Sequence, residues 1–326
     1  MAHDHEVDVL IVGAGPVGLF AAYYSGFRGL SVALVDSLPE LGGQITAMYP
    51  EKDILDVAGF PVVKGKELVA GLVEQAATAE PTYLLGRTAQ TLETGEEAVR
   101  VGLDDGTTVG AKAVIITAGI GKFTPRPLPA ADEWSGDEVA FFVPSFAQYA
   151  GKDVVIVGGG DSAFDWALAL EPVAATVTLI HRRDAFRAHQ STVDKVLASS
   201  VTVMTSANVT RLMGESGLEA VEVEDVKTKD VVTVKAQAIV AALGFVADLG
   251  PIQGWGLEVE KRHIVVDSAT RTNLPRVFAA GDITEYPGKV RLIAVGFGEA
   301  ATAVNNAAVA INPAAHLFPG HSSEGG

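Results

Sequence analysis

Cysteine is absent from the 326 residues of this chain, and that absence limits its chemistry more than any other feature of its composition. Without cysteine the chain has no disulfides, no thiolate metal sites and no redox-active dithiol. Long apolar runs are missing too, since the stretch Ala236–Ala247 is too short to span a bilayer of about 30 Å. The first residues carry Asp4 and Glu6 and lack the basic segment of a signal peptide, so we expect a cytoplasmic protein.

Basic residues are scarce relative to acidic ones, with 24 lysines and arginines against 40 aspartates and glutamates and a formal net charge of −16. This balance argues against nucleic acid or an anionic membrane as the main partner. Apolar residues make up 48 % of the chain, which suffices for sizeable cores. The length corresponds to roughly two domains, and we expect no bound metal.

Two glycine-rich turns are the strongest positive signal. Gly13–Gly18 follows the apolar run Val9–Val12, and Gly158–Ala163 follows Val154–Val157. Each turn precedes a helical pattern and a second strand pattern, which completes a βαβ unit. Glycines let the backbone approach a pyrophosphate, and the helix N-terminus favours its negative charge. One such turn is weak evidence, but two imply two dinucleotide sites. The residues expected at these sites are Gly13, Gly15, Pro16 and Gly18 in the first turn and Gly158, Gly160, Asp161 and Ser162 in the second.

The residues that end the second strand of each unit differ in charge. Asp36 ends the first, roughly 20 residues beyond the glycines, where a carboxylate accepts hydrogen bonds from ribose hydroxyls and repels a 2′-phosphate. FAD or NAD therefore suits the first turn and NADP does not. The second unit has no carboxylate at this place but has three arginines, whose guanidinium groups bind phosphate well. We expect these to hold the 2′-phosphate of NADPH: Arg182, Arg183 and Arg187.

Two later segments suggest further contacts with a flavin. The strand pattern Ala279–Ala280 ends in Gly281 and Asp282, which can place a carboxylate against polyol hydroxyls such as those of a ribityl chain. The segment Val295–Ala300 starts a helix whose positive N-terminal end could lie beside the flavin pyrimidine edge. The alternative for Asp282 is a carboxylate that only caps a local turn.

The order of these patterns predicts an α/β fold class with two Rossmann-like dinucleotide-binding domains, the second inserted in the first. Each domain is expected to have βαβ units in a three-layer ββα-type architecture. The FAD-binding domain comprises residues 1–121 and 249–326, and the NADPH-binding domain comprises residues 122–248. Segments 201–206, 219–224 and 231–236 suggest antiparallel strands, and a terminal helix is expected from about Gly298 to Ala310.

These features together resemble the two-dinucleotide flavoprotein disulfide reductase superfamily, in particular its small thioredoxin-reductase-like members. His181–Ala188 is similar to their NADPH signature, but the Cys-x-x-Cys pair of thioredoxin reductases is replaced by Phe141–Phe146. The whole chain instead resembles the thioredoxin-reductase-like ferredoxin–NADP⁺ reductases. The motifs that carry this resemblance are Gly42–Gln44, Tyr49–Lys52, Asp56–Pro61, Gly158–Ala163, Asp165–Leu168 and Gly296–Ala300.

The resemblance implies further contacts with FAD at matching positions. Tyr49 would stack on one face of the isoalloxazine, and His321 would cover the other face from the C-terminal segment. The residues implied to line the rest of the FAD site are Gly43, Gln44, Ala89, Phe123 and Ser323.

The resemblance also implies the activity. FAD would take hydride from NADPH and pass electrons singly to ferredoxin or a flavodoxin-like carrier, with the reverse direction equally available. Two alternatives stay open: an NADPH-dependent quinone or oxygen reductase, and a non-catalytic flavoprotein that senses NADPH through its domain orientation. A disulfide reductase with its own dithiol is excluded because the chain has no cysteine.

The expected partners are ferredoxin and, by the resemblance, a second copy of the chain in a homodimer. Because both this chain and most ferredoxins are acidic, docking would need a local basic face. The candidates for that face are Lys64, Lys66, Arg126, Lys152, Lys289 and Arg291. The NADPH domain is expected to rotate about hinges near Lys122–Pro125 and Gly244–Asp248.

Overall fold

The computed structural model describes residues 5–320, and these form two compact units. The first unit contains the chain up to Ala47, Asp53–Phe123 and the chain from Ala247 onward, and the second contains Met48–Lys52 and Thr124–Val246. The expected domain limits lie within two residues of these, apart from the short segment Met48–Lys52, which the prediction left in the first domain. Within residues 5–320 no helix combines the length and the apolar character needed to cross a membrane.

The leading part of the first unit alternates strands and helices. Its elements are β1 (His5–Val12), α1 (Pro16–Phe27), β2 (Val32–Asp36), α2 (Gln44–Met48), β3 (Asp53–Ile54), β4 (Val63–Lys64), α3 (Gly65–Ala77), β5 (Thr82–Leu85), β6 (Ala89–Thr94), β7 (Val99–Leu103) and β8 (Thr108–Ile116). Strands β1, β2, β5 and β8 are parallel neighbours in the order β5-β2-β1-β8. Strands β7 and β6 extend the sheet antiparallel beyond β8.

The second unit repeats the βαβ arrangement. The elements of this stretch of chain are β9 (Lys122–Pro125), β10 (Val139–Ala140), β11 (Asp153–Val157), α4 (Asp161–Leu170), β12 (Thr176–Ile180), α5 (Gln190–Leu197), β13 (Thr202–Met204), β14 (Ala207–Met213), β15 (Ala220–Asp225), β16 (Val231–Lys235), β17 (Ala238–Ala241) and β18 (Phe245–Asp248). A parallel sheet has the order β10-β17-β11-β12-β13, and β14-β15-β16 form a separate antiparallel sheet. Strands β9 and β18, on the two chain crossings, pair with each other.

The chain then returns to the first unit through β19 (Val259–Glu260), β20 (His263–Val265), β21 (Val277–Ala279), β22 (Thr284–Glu285) and α6 (Ile293–Ile311). Strand β21 pairs in parallel with the last residues of β8, so the main sheet is completed by both chain ends. This arrangement puts the end of β21 beside the end of β8, at the carboxyl edge where nucleotide sites form in such sheets.

Three layers are explicit in the second unit, where the side chains of β11 alternate between two cores. Val154 and Ile156 pack with α4 and α5, whereas Val155 and Val157 pack with the antiparallel sheet β14-β15-β16. A strand that is buried on both faces has apolar residues at successive positions, which explains the apolar run Val154–Val157. The predicted fold class is confirmed by this layering, by the parallel sheets and by the likeness to solved structures reported below.

Two sequence expectations about elements were wrong. Residues 201–206 do not join the antiparallel sheet, because β13 (Thr202–Met204) lies parallel to β12, and the antiparallel strand is β14 (Ala207–Met213) instead. Helix α6 begins at Ile293, more than one turn before Gly298. Gly296 and Gly298 lower the intrinsic helix propensity of this segment, and tertiary packing outweighs that preference.

Candidate functional site

The first glycine turn has the close backbone approach that a dinucleotide site needs. Gly13 has a φ of +114°, and a Cβ on it would lie 2.6 Å from the carbonyl oxygen of Thr117. Helix α1 begins directly after Gly15 with Pro16 as its first residue, so free N–H groups of its first turn remain available to an anion. A Cβ on Gly15 would have only the Cα of Gly43 nearby, at 4.0 Å. The turn therefore offers an open backbone surface to a pyrophosphate.

Asp36 lies at the end of β2 beside this turn. Its Oδ2 accepts a hydrogen bond from the N–H of Ala14 at 2.6 Å, and its Oδ1 accepts one from the N–H of Leu38 at 2.8 Å. Burial raises the pKa of the Asp36 carboxyl, and these two backbone donors lower it. Each carboxylate oxygen keeps a further lone pair for a hydroxyl donor. The carboxylate is thus fixed next to the turn and still able to accept ribose hydroxyls.

The loop after β2 contributes Gly43 and Gln44, and both lie close to the sheet edge. A Cβ on Gly43 would lie 2.9 Å from the Cα of Gly15. The side-chain nitrogen of Gln44 lies 2.7 Å from the position of a Cβ on Gly119, just beyond β8. The structure therefore brings Gly15, Gly43 and Gln44 together, whereas Ala89 is a buried residue at the start of β6.

Gly281 and Asp282 follow β21 at the same edge. Among residues 5–320 no side chain or backbone group forms a hydrogen bond or ion pair with the Asp282 carboxylate, although that carboxylate is partly buried. Burial raises the pKa of Asp282, whereas the nearby Lys289 and Arg291 lower it. A carboxylate held at the sheet edge without such a partner is open to a hydroxyl donor, and its contact with a polyol stays a prediction.

The second glycine turn, which lies in the other unit, has the same backbone arrangement. A Cβ on Gly158 would collide with the carbonyl oxygen of Ala242, so the turn packs closely on the end of β17. A Cβ on Gly160 would meet nothing within 4 Å, and helix α4 begins at the next residue, Asp161. Asp161 and Ser162 are exposed in the first turn of α4. A nucleotide phosphate could therefore approach Gly160 and the start of α4.

The loop after β12 folds back over this turn and carries the three predicted arginines. The N–H of Arg187 donates to the carbonyl of Gly159 at 2.8 Å, which ties the loop to the glycine turn. Arg182, Arg183 and Arg187 are exposed, and none of the three guanidinium groups pairs with a carboxylate within the described range 5–320. Asp184, in the middle of the loop, instead binds Lys227 Nζ at 2.7 Å and the Ser206 hydroxyl. The local carboxylate is thus occupied elsewhere, and three cations stay available for a phosphate.

His181 lies under this loop, and the charges of the loop affect its pKa. Its ring contacts the backbone of Gly159, and its Nε2 lies 3.2 Å from the carbonyl oxygen of Ala185. Burial lowers the pKa of His181, and the positive charges of Arg182, Arg183 and Arg187 lower it further. From the sequence, His181 was identified only as part of the NADPH signature, and its packing against the glycine turn was not predicted.

The remaining residues implied by the resemblance lie in different places. Tyr49 belongs to the segment Met48–Lys52 of the second unit, where its half-buried ring packs against the core that contains Trp166. In the same unit Lys52 Nζ forms an ion pair with Asp165 Oδ2 at 2.6 Å, so two of the quoted motifs meet here. Phe123 is a half-buried residue of β9. His321 and Ser323 lie outside the described residues.

One docking candidate was wrong. The Lys289 side chain is 1 % exposed and forms an ion pair with Glu299, so it cannot belong to a basic surface. Lys64 pairs with Asp53, and Arg291 pairs with Glu285. The buried pair could not be predicted from the sequence, because Glu299 is ten residues from Lys289 and lies among small residues of a helix pattern that indicates no partner for it. No group of three or more possible metal ligands occurs in the part of the chain that the structure describes.

Comparison with known proteins agrees with this geometry. The model of the pyridine nucleotide-disulphide oxidoreductase family matches residues 7–309. A ferredoxin–NADP reductase of Nocardioides sp. is 73 % identical over 98 % of each chain, and one of Saccharopolyspora erythraea is 62 % identical over 98 % of each chain. Thioredoxin reductase of T. acidophilum has a similar structure, with a TM-score of 0.77, 26 % identity, and coverage of 94 % of this chain and 98 % of that one. The predicted resemblance is confirmed, and the chain belongs to the pyridine nucleotide-disulphide oxidoreductase family.

Proposed function

We propose that this chain is a ferredoxin–NADP reductase that binds FAD in its first unit and NADPH in its second. Relatives that carry this name are similar to the chain over nearly its whole length. The main support for the proposal is a difference in charge between two glycine turns that have the same backbone arrangement. Asp36 stands beside the first turn, and unpaired arginines stand beside the second. Because of this difference, the first turn would favour FAD and the second would favour NADPH.

In the first unit the pyrophosphate of FAD would lie at the glycine turn and the start of α1. Asp36 would accept ribose hydroxyls, and Asp282 would accept hydroxyls of the ribityl chain. The Gln44 amide would approach the flavin. Bound FAD supplies the conversion between the two-electron chemistry of NADPH and the one-electron chemistry of ferredoxin. The protein supplies binding and orientation, so we assign no general acid or base. This proposal gives residues 1–121 and 249–326 to FAD.

In the second unit, residues 122–248, Gly158, Gly160 and the start of α4 would hold the NADPH pyrophosphate. Arg182, Arg183 and Arg187 would bind the 2′-phosphate with charge-assisted hydrogen bonds. NADH, which has a hydroxyl in place of the 2′-phosphate, would not form these charge-assisted bonds. The specificity for NADPH is therefore attributed to one loop rather than to the glycine turn.

The lack of cysteine excludes a dithiol enzyme, and the name of the similar relatives supports a one-electron carrier as the acceptor. Thioredoxin reductases share the fold, but this sequence contains no cysteine to pass electrons to a disulfide. A carrier that takes electrons directly from the flavin needs no thiol. We further propose that the protein is a cytoplasmic homodimer.

Anaerobic stopped-flow spectroscopy of the FAD-loaded protein tests the proposal. NADPH should bleach the flavin absorbance at least about 100-fold faster than NADH at equal low concentration, since each charge-assisted phosphate bond is worth roughly 1.5–3 kcal/mol. Oxidised ferredoxin should then restore the absorbance. Reoxidation by quinone or oxygen but not by ferredoxin would indicate the quinone or oxygen reductase. Bleaching with no competent acceptor would indicate an NADPH sensor.

A further inference from the structure

A buried ion pair lies directly behind the Gly281–Asp282 turn of the first unit. Lys289 Nζ and Glu299 Oε1 are 2.5 Å apart, and the two side chains are only 1 % and 8 % exposed. Tyr286 adds a hydrogen bond from its hydroxyl to the same Oε1 at 2.5 Å, and Lys289 Nζ lies 5.4 Å from the centre of the Tyr286 ring. Removing two charges from water costs free energy, so an ion pair buried this deeply requires a structural or functional explanation.

The pair holds both polar backbone groups of Gly281. The N–H of Gly281 donates to Glu299 Oε2 at 2.7 Å, and its carbonyl oxygen accepts a hydrogen bond from Lys289 Nζ at 3.0 Å. The Thr284 hydroxyl donates to the same carbonyl at 2.8 Å. Both polar backbone groups of Gly281 are therefore hydrogen-bonded by the pair. The side chain of the next residue, Asp282, has no hydrogen-bond or ion-pair partner among residues 5–320.

The same pair connects the turn to two helices. Glu299 lies on α6, and a Cβ on the helical residue Gly296 would lie 2.5 Å from Val17 of α1 and 3.4 Å from the Cα of Gly281. Gly281 itself has a φ of +84°, and a Cβ on it would lie 3.2 Å from Val17. The pair therefore fixes Asp282 relative to α1 and α6, which are the two helices at the predicted FAD site.

Lys289 also acts on the charge of Asp282. Burial raises the pKa of the Asp282 carboxyl, Lys289 is the largest of the neighbours that lower it, and Arg291 and His263 lower it further while Glu299 raises it. Lys289 therefore favours the ionised form, which is the better acceptor for a hydroxyl donor.

We infer that Lys289, Glu299 and Tyr286 are positioning residues for FAD, which hold the Gly281–Asp282 turn so that the Asp282 carboxylate meets the polyol of the flavin half. This inference rests on the proposed function insofar as FAD binds in the first unit. The three residues act through the turn, and none of them belongs to the first glycine turn or is Asp36, to which the ADP half is assigned.

The experiment compares the binding of FAD and of ADP to the apoprotein, because ADP lacks the part of FAD that Asp282 meets. The variants are Glu299→Gln, Lys289→Met and Tyr286→Phe, each close in size to the native residue. The matched control is Glu260→Gln with Lys261→Met, an exposed lysine–glutamate pair of the same unit with an N–O distance of 3.1 Å. FAD and ADP dissociation constants are measured by fluorescence quenching and calorimetry, together with the Tm of each apoprotein.

We expect Glu299→Gln and Lys289→Met to weaken FAD binding at least tenfold and Tyr286→Phe to weaken it a few-fold. ADP binding should change less than twofold in all three, and the control variant should match the wild type for both ligands. In an Asp282→Ala background, Glu299→Gln should add less than a threefold further loss, because its effect passes through Asp282. Equal losses for FAD and ADP, or full additivity with Asp282→Ala, would overturn the inference. Wild-type protein that binds no FAD would instead contradict the proposed function.

Discussion

At the scale of single residues, the choice of nucleotide is attributed to the charged side chains that lie beside the two glycine turns. Asp36 is fixed by two backbone donors at the first site. At the second site Asp184 is occupied by Lys227 and Ser206, so it does not neutralise the neighbouring arginines. A solvated face of arginines would satisfy the same sequence pattern, but the hydrogen bond from the N–H of Arg187 to the carbonyl of Gly159 holds this loop beside the second glycine turn.

The double variant Arg182→Ala with Arg183→Ala tests this assignment. The KM for NADPH should rise roughly 100-fold or more, because two charge-assisted bonds of about 1.5–3 kcal/mol each are lost, whereas the KM for NADH should change less than threefold. Steady-state kinetics with both nucleotides measure the effect. Arg211→Ala, an exposed arginine on β14 of the same unit, is the control and should leave both values unchanged. Equal effects on NADPH and NADH would refute the role of the arginines.

The pKa of His181 provides a second test at the residue scale. Burial and then the three arginine charges lower this pKa in the free protein. A bound 2′-phosphate brings negative charge that offsets those arginines, so NADP⁺ should raise the pKa of His181. NAD⁺ carries the pyrophosphate but lacks the 2′-phosphate, so it should raise this pKa less than NADP⁺ does. An NMR titration of the imidazole C–H signals with each nucleotide decides the point, and a pKa that falls or stays constant with NADP⁺ would contradict the account.

At the scale of elements, the glycine turns could be read from the sequence because strand, turn and helix follow one another without interruption. Positions within a turn nevertheless differ in ways that only the structure reveals. A Cβ on Gly158 would collide with Ala242, whereas a Cβ on Gly160 would project into open space. Gly158 therefore serves packing, and we propose that Gly160 leaves room for the nucleotide phosphate.

Paired alanine substitutions separate these two roles. Gly160→Ala should keep the Tm within about 2 °C of the wild type, since its φ of −104° suits alanine, and should raise the KM for NADPH at least about tenfold by blocking the phosphate. Gly158→Ala should lower the free energy of unfolding by about 1–3 kcal/mol through overpacking. Calorimetry and steady-state kinetics on both variants make the comparison. A large loss of stability in Gly160→Ala would show that this position serves packing instead.

Elements whose form depends on distant contacts could not be predicted from local patterns. β13 was expected to be antiparallel because its sequence alternates like that of its successors, and its pairing with β12 depends on the preceding helix α5. The start of α6 was placed too late because Gly296 and Gly298 oppose a helix locally. The buried pair Lys289–Glu299 gave no sequence signal, since burial of lysine is decided by the fold around it.

At the scale of the whole molecule, the acidic charge must be reconciled with an acidic partner. The net charge of −16 repels an acidic ferredoxin at long range. Lys64 and Arg291 form ion pairs with carboxylates, and the Lys289 side chain is buried. The basic face predicted from the sequence is therefore reduced to a few cations, and docking should depend on short-range contacts with them.

Ionic strength tests this view of docking. Raising salt from about 0.05 M to 0.5 M shortens the Debye length from roughly 14 Å to 4 Å. If a few local cations guide ferredoxin, its kcat/KM should fall several-fold over this range. Turnover with a neutral quinone at saturating NADPH serves as the control and should change less than twofold. A steady increase of the ferredoxin kcat/KM with salt would mean that overall repulsion outweighs any local basic contact.

The central claim is that electrons pass from NADPH through FAD to a one-electron protein carrier, and NADPH-driven reduction of cytochrome c measures it most directly. The assay uses purified FAD-loaded protein with increasing amounts of ferredoxin. The account predicts a slow rate without ferredoxin and a large, saturable increase with it. Rapid bleaching of the flavin by NADPH together with a rate of cytochrome c reduction that does not respond to ferredoxin would contradict it.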